Sequence, residues 1–492
     1  MNKVSFIYLM ILAGGIIDLG FLAMPAFAQD VPTLQKLQSI INAQQQLIEA
    51  QQKQLDAQMQ SIQKLQKEVQ SLAKGADKKG DTGIATKPLA ESSVPSTAVA
   101  SKPAAEPPKK HARLYRDYDW DPAGSPKAII DPTETIQIPE TATKIGIHGF
   151  ATLQIFHDTN DIDNVEWVTG KIPVEGSDSA THYSVSMSRI EVSSETPSQW
   201  GQLNTFIGMD FYRQGQPNSP DFRLRQAYGE LGFKDLGLSI LAGQDFATMI
   251  DLKAFPETLE YLGPAAAFNR RQPLLRVTKA IADDMTAQVA FETPENVSYI
   301  NADKRTRWPD LVLTGTWQPG GKYLEHIKLA GLLRDLRAEG PDGSEDSALG
   351  MAIQGTGKVM LPLFDGRDNF KFLVNYGTGY GAQVSSGFDD AVFDTGSGEL
   401  KTIDLFGVAG GFQHWWSGAF RSNLVFGYLT ADNPGVADGD VIDSTSYGAA
   451  NIIWTPFSNT MFGLEYLWGR RENEDGRDGT SSRFLFSNRF SF

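Results

Sequence analysis

The sequence predicts an all-β protein, a sixteen-stranded antiparallel transmembrane β-barrel preceded by an N-terminal periplasmic coiled-coil helix. Three observations lead there. The chain closes on SSRFLFSNRFSF, which with period two places Phe484, Phe486, Asn488, Phe490 and Phe492 on one face and Arg483, Leu485, Ser487, Arg489 and Ser491 on the other. Such a Phe-rich edge would be an aggregation hazard in a soluble sheet. In an outer membrane barrel the Phe face meets lipid and the Arg face meets the lumen, because an Arg on the lipid side costs about 2–4 kcal/mol at the midplane. From Lys144 onward, short alternating runs follow one another without helical periodicity, and about sixteen strand starts fall between residues 145 and 482. Finally, short connections around Pro197, Lys234, Asp283, Gly320, Asp365, Ser417 and Pro456 alternate with long ones around Asp161, Gln216, Pro256, Thr306, Gly340, Asp394, Asp438 and Glu474. Short periplasmic turns and long external loops predict that alternation.

Taken in order, residues 1–28 read as a cleaved secretory signal: Lys3 in a short basic region, an apolar run from Phe6 to Ile17, and Ala26-Phe27-Ala28 before Gln29. Asp18 interrupts the run and argues against an uncleaved span of about 20 apolar residues. The absence of Cys excludes a lipoprotein anchor, thiolate metal sites and disulfides, and a net charge of −15 argues against nucleic acid as a partner. Residues 29–74 carry heptads with Leu34, Ile41, Ile48, Leu55, Ile62 and Val69 at a and Leu37, Gln44, Gln51, Gln58, Leu65 and Leu72 at d. That seam needs partner copies, and its Gln layers favour one register; a trimer is expected, with a dimer as the competitor. Residues 75–143 are a flexible Pro/Ala/Lys-rich linker and run-in, too poor in large apolar residues to offset ordering entropy. The barrel occupies residues 144–492.

Within the barrel, Phe370, Phe372, Val374 and Tyr376 alternate with Lys371 and Asn375, and Phe462, Leu464, Tyr466 and Trp468 with Gly463 and Glu465. The third long connection, about Phe246 to Gln272, holds Met249, Ile250, Leu252, Phe255, Leu259, Tyr261, Leu262 and Phe268 and is too apolar to float in water. It is expected to fold inward and narrow the channel. The other external loops are acidic, which reads as solvation, with divalent-ion contact to lipopolysaccharide as the sharper alternative. Basic residues fall opposite the apolar stripes: Arg223, Arg225, Arg270, Arg271, Arg276, Lys328, Arg334, Lys371, Arg421, Arg483 and Arg489 are the expected pore-lining, solute-binding set. A guanidinium beside a constriction takes a carboxylate bidentately and favours small organic anions. The alternative is that these cations pair with Asp245, Glu191 or Glu230 and only set a transverse field. Arg189 is ambiguous, because the alternation in HYSVSMSRIEV slips there. The His residues are scattered without metal-ligand spacing, and no nucleophile motif is present; no metal, cofactor or enzymatic activity is expected.

The chain resembles the DcaP-like family of trimeric outer membrane porins. The resemblance rests on the Gln-rich coiled coil, TIQIPETATKIGIHGF, FRLRQAYGEL, LAGQDFATMIDLKAFPETLEYLGP, RRQPLLRV, GGFQHWW, NIIWTP and GLEYLWGRRENEDGRDG before the terminal Phe strand. It implies trimers of sixteen-stranded barrels in the bacterial outer membrane that pass negatively charged solutes such as dicarboxylates. The expected partners are outer membrane lipid and lipopolysaccharide, small anionic solutes, two further copies of the chain, and peptidoglycan or a periplasmic protein at the coiled coil. Two other readings stay open at this point: a structural tether from outer membrane to peptidoglycan, and a non-selective general porin.

Overall fold

The computed structural model describes residues 136–139, 141–213, 221–361, 363 and 366–492. The expected signal, the coiled coil and most of the linker lie outside the described residues.

Sixteen antiparallel strands form one closed barrel. They are β1 (Lys144–Asp158), β2 (Ala180–Ser184 continued by Arg189–Ser198), β3 (Gly201–Asp210), β4 (Arg223–Phe233), β5 (Leu238–Phe246), β6 (Arg271–Ala282), β7 (Met285–Glu292) and β8 (Asp310–Trp317). They continue with β9 (Leu324–Glu339), β10 (Glu345–Met360), β11 (Asn369–Thr378), β12 (Asp404–Trp415), β13 (Phe420–Asp432), β14 (Ile442–Phe457), β15 (Thr460–Asn473) and β16 (Asp478–Ser491). Pairing of β1 with β16, from Phe150↔Ser491 to Asp158↔Arg483, closes the cylinder and leaves no sheet edge between them. Before β1, Ile136 and Gln137 pair with Ile145 and Lys144 as a short run-in hairpin.

The alternation read from sequence is the alternation found. In β16, Arg483, Leu485, Ser487 and Arg489 are buried while Phe484 and Phe490 are exposed on the outer wall; in β11, Lys371 and Asn375 are buried while Phe370, Val374 and Tyr376 are exposed. Exposure of these aromatics is ordinary for a wall that meets lipid. The slip at Arg189 also has a cause. Residues 185–188 interrupt β2, with Ser188 N–H bonded to the Val185 carbonyl, so the wall restarts at Arg189 with that side chain turned inward and buried.

Two expectations about the loops are corrected. The connections at Gly340 and Glu474 are tight hairpins between long strands, β9 to β10 and β15 to β16, so the polar residues there belong largely to strand ends. Nor are the acidic loops simply solvated. Asp158 is fully buried against Arg483, Asp161 bonds His182, Arg470 bridges Glu472 and Asp478, and Arg477 holds Asp475. The first loop (159–179) buries Ile162, Val165, Trp167 and Ile172 among barrel residues. The sixth loop (379–403) also folds inward: Tyr380 stacks on Phe268 at 5.5 Å, and its strands Ala391–Asp394 and Glu399–Thr402 make a small sheet with Tyr299–Ile300 of the fourth loop (293–309).

Arg334 of β9 ties the fourth and sixth loops to the wall. Its guanidinium, fully buried, bonds Asp310 (2.9 Å), Asp390 (3.0 Å) and the carbonyls of Gly379 (2.9 Å) and Asn296 (2.6 Å). Removing one partner of such a network strands buried charge and costs about 3–5 kcal/mol. Arg334→Met is therefore expected to lower the denaturant midpoint of the heat-modifiable folded band on gels, whereas Arg470→Met at an exposed pair leaves it within about 0.5 kcal/mol.

Candidate functional site: the loop-filled lumen

The third loop (247–270) leaves the wall between β5 and β6 and crosses to the far side. Its backbone must satisfy its N–H and C=O groups away from bulk water, and the wall supplies the partners. Lys328 Nζ donates to the carbonyls of Thr248 and Ile250, both at 2.8 Å. Lys371 Nζ donates to the Phe255 carbonyl at 2.9 Å, and Asn375 Nδ2 to that of Ala266 at 2.7 Å. Arg276 bonds Asp245 (3.0 Å), Thr248 Oγ1 (2.8 Å) and the Phe246 carbonyl (2.6 Å), which fixes the start of the loop. Asp251 meets His326 at 2.7 Å, and Arg421 takes Glu257 bidentately at 2.7 and 2.8 Å. Burial disfavours the Glu257 carboxylate, but Arg421 prevails and holds it below the ordinary range.

Two buried glutamates extend the chain of contacts. Glu465 of β15 accepts the N–H groups of Leu259 (2.8 Å) and Glu260 (2.9 Å) and the amide of Asn451 (2.8 Å). Glu260 in turn accepts the N–H groups of Leu262 (2.6 Å), Gly263 (2.9 Å) and Trp167 of the first loop (3.1 Å). Burial outweighs these N–H groups and, with Glu465 nearby, pushes the Glu260 carboxyl up to about 8. The far wall is stepped back where the loop lies against it: a Cβ on Gly427 would stand 2.7 Å from the Ala265 carbonyl, and one on Gly463 2.5 Å from the Leu259 side chain.

The remaining basic residues occupy other places. Arg483 bonds Asp158 (2.6 and 2.7 Å) and the carbonyls of Val165 and Asn164, with its guanidinium 4.0 Å from the Phe156 ring centroid, and so holds the first loop. Arg489 and Arg189 lie on the ring of Phe150, at 4.6 and 5.2 Å. Arg223 and Arg225 share a face by period two, and a bulge opposite Gly208 and Met209 turns that face inward together with Gln226. Both guanidiniums bond Asp210 at 2.7–2.8 Å; that of Arg223 also lies 4.1 Å from the Tyr212 ring centroid and 3.9 Å from Glu166, and its side chain is 27 % exposed. Arg270 donates to the Ala382 carbonyl at 2.5 Å and lies near Glu166. Arg271 lies over Phe246 at the start of β6, within electrostatic range of Arg223 and Arg225.

The lumen thus has two sides. Apolar clusters join the inward loops to wall residues from β7 round to β16 and to Phe156 of β1. The inner faces of β2 to β5 instead present Arg189, Glu191, Asp210, Arg225, Gln226, Glu230 and Asp245 beside Phe206 and Tyr228. No cluster of metal-binding type is present among the described residues. Asp210, Glu257, Glu260, Glu465 and Asp390 were not singled out from sequence. Their partners lie on other strands, so local pattern carries no sign of them; only the inward parity of Glu465 was readable.

A closed sixteen-stranded barrel with an inward third loop is a porin architecture, and the comparisons specify it. The model of the DcaP outer membrane protein family matches residues 130–492. The chain belongs to that family. The crystal structure of the outer membrane channel DcaP of Acinetobacter baumannii is similar at TM-score 0.64 and 16 % identity, over 73 % of this chain and 99 % of that one. An anion-selective porin from Comamonas acidovorans is similar at TM-score 0.48 and 11 % identity, over 71 % and 100 %. Outer-membrane expressed OmpT of Vibrio cholerae is similar at TM-score 0.47 and 10 % identity, over 73 % and 100 %. No curated protein matches the chain. The family is one of outer membrane proteins.

In this DcaP-family barrel Glu465 holds the third loop at Leu259 and Glu260. Glu465→Gln replaces one acceptor oxygen by a donor facing an N–H, at a cost of about 1–3 kcal/mol. Planar-bilayer recording is expected to show larger and noisier single-channel conductance, while Glu230→Gln, a lumen carboxylate bonded to Ser239, leaves the loop and the conductance in place.

Proposed function

We propose that this barrel is a passive, anion-preferring diffusion channel for small carboxylated solutes, dicarboxylates among them, and that it works as a homotrimer carrying a periplasmic N-terminal coiled coil. The observation that supports this reading is the group of Arg223, Arg225, Arg270 and Arg271 set against Asp210, Glu166 and, beside Arg270, Asp390 with its partner Arg334: five cations less three carboxylates leave an excess of two positive charges. It stands at the start of β4 and the start of β6, on the side that the loops leave polar. In a chain of net charge −15, anion preference has to come from such a local field.

Arg223 is the member best suited to meet a solute. Its side chain is partly exposed, its plane is set by Tyr212, and a guanidinium pairs a carboxylate bidentately. Lys328, Lys371, Arg421, Arg334 and Arg483 act on this reading mainly as clamps of the inward loops, and contribute to the field without binding the solute. The trimer has separate support in the apolar a positions of residues 34–69, which need neighbouring copies to be covered.

The test is the reversal potential in a planar bilayer under a salt gradient, repeated with succinate or phthalate. Anion preference with block by the dicarboxylate in three steps is expected, and Arg223→Gln should weaken block about tenfold, the equivalent of one lost charge-assisted hydrogen bond. Cation preference without block would overturn the reading and leave a general porin.

A further inference from the structure

Glu166 stands among the arginines of the lumen without the short bonds that its position invites. It lies between Val165 and Trp167, which are both buried in an apolar cluster, and its own side chain turns to the polar side, towards Arg223. The first loop has other means of staying in place. Arg483 donates to the carbonyls of Val165 and Asn164 at 2.6 and 2.7 Å, and Glu260 accepts the Trp167 N–H at 3.1 Å. The carbonyl of Glu166 itself accepts from Asn164 Nδ2 at 2.8 Å and from the Val168 N–H at 3.1 Å. The backbone is therefore fixed on both sides of Glu166, and its carboxylate is not needed as a strut.

Two carboxylates face Arg223, and they are bound differently. Asp210, fully buried, takes Nε and Nη2 of Arg223 at 2.8 and 2.7 Å and Nη1 of Arg225 at 2.8 Å. Glu166 approaches the remaining nitrogen, Nη1, at 3.9 Å, an ion pair beyond hydrogen-bond length, and its side chain is 16 % exposed. Arg270 and Arg271 attract it from farther off. The Tyr212 hydroxyl, also beside it, donates to Asn164 Oδ1 at 3.1 Å. Charge thus holds Glu166 near Arg223, and moving it aside breaks no hydrogen bond between the two. With the Nε edge given to Asp210, the Nη1 end is also the part of the guanidinium left for a solute carboxylate.

We infer that Glu166 is a tethered competitor for the solute: it covers the Nη1 end of Arg223 between solutes, gives way to a solute carboxylate, and returns to displace it. The inference rests on the anion-channel reading and adds to it a means of release. A filter has to bind well enough to admit a solute and weakly enough to let it leave. A carboxylate fixed on the first loop is present at high effective concentration beside Arg223. A departing solute then leaves the cation covered, and a bound one is opposed throughout its stay.

Single-channel recording of the full-length protein in planar bilayers, with succinate as the blocking solute, tests this through the dwell time of each block. Glu166→Gln removes the charge and keeps the shape, and should lengthen the dwell about tenfold, the effect of deleting one like charge about 4 Å from the site. Glu166→Asp keeps the charge but draws it back by one methylene, and should fall between the two. In an Arg223→Gln background the effect of Glu166→Gln should vanish, because the competitor and the solute then have no shared partner. Equal dwell in Glu166→Gln and wild type, with Arg223→Gln still weakening block, would overturn this inference and leave the channel reading standing. A shorter dwell with a larger and noisier open current in chloride would also overturn it, by showing Glu166 to be a strut of the first loop. Absence of block in wild type, Glu166→Gln and Arg223→Gln alike would overturn both.

Discussion

A loop that enters a barrel must bring its peptide groups with it, and satisfying them there is the constraint on which the rest of this structure depends. Sixteen strands enclose a lumen that side chains alone do not fill. The third loop is apolar enough to leave water, but its carbonyls and N–H groups then need partners that water no longer supplies. Lysine and asparagine on the wall meet the carbonyls of Thr248, Ile250, Phe255 and Ala266, and a glutamate meets the N–H groups of Leu259 and Glu260. Charged partners suit this task, since a bond to an ionised group contributes about 1.5–3 kcal/mol against about 1 for a neutral one. The loop is thus fixed by bonds along its whole course, with apolar packing between them.

The same bonds make the loops one unit. Glu465 holds the third loop, Glu260 on that loop holds Trp167 of the first, and Arg483 holds the first loop from the closing strand. The sixth loop joins through Phe268 on Tyr380 and through the Ser385 N–H to the Ala267 carbonyl, while Arg334 binds it to the fourth. Because this unit packs on β7 to β16, the polar inner faces of β2 to β5 are left outside it. The asymmetry of the lumen follows from where the glycines are. Gly427 and Gly463 let loop backbone and side chains approach the far wall, whereas a Cβ on Gly208, Gly229 or Gly243 would meet first the residues of its own or a neighbouring strand.

Much of this was legible in the sequence, and the part that was not has a physical reason. Strand existence, inward and outward faces, closure by the Phe-ended strand and the inward fold of residues 247–270 follow from periodicity and apolarity, which are local properties. The tight hairpins at Gly340 and Glu474 read as long loops in the sequence because a polar strand end has the composition of a loop. The long connection around Asp394 is legible as a loop, but its inward fold is not, because its apolar run is short and Asp389, Asp390 and Asp394 flank it; their sequence looks solvated, yet Asp390 is buried against Arg334. The bulge that turns Arg223, Arg225 and Gln226 to one side depends on pairing between β3 and β4, which period two along one strand does not encode.

The basic residues show most sharply what a pattern along one strand can and cannot say. Parity places Arg276, Lys328, Lys371 and Arg421 on the inner face, where each is found. Whether an inward cation meets a solute or a peptide carbonyl depends on what else has entered the lumen, and so on a loop far away in the chain. Glu257 and Arg421 are separated by 164 residues, and Lys371 and Phe255 by 116. A cation bonded to a loop carbonyl has given up part of its hydration and its freedom to turn, and exchange for a passing carboxylate would leave that carbonyl unsatisfied. Arg223 is bound differently. Its partner Asp210 is also held by Arg225, so the Arg223 guanidinium can turn to a solute without leaving the aspartate alone.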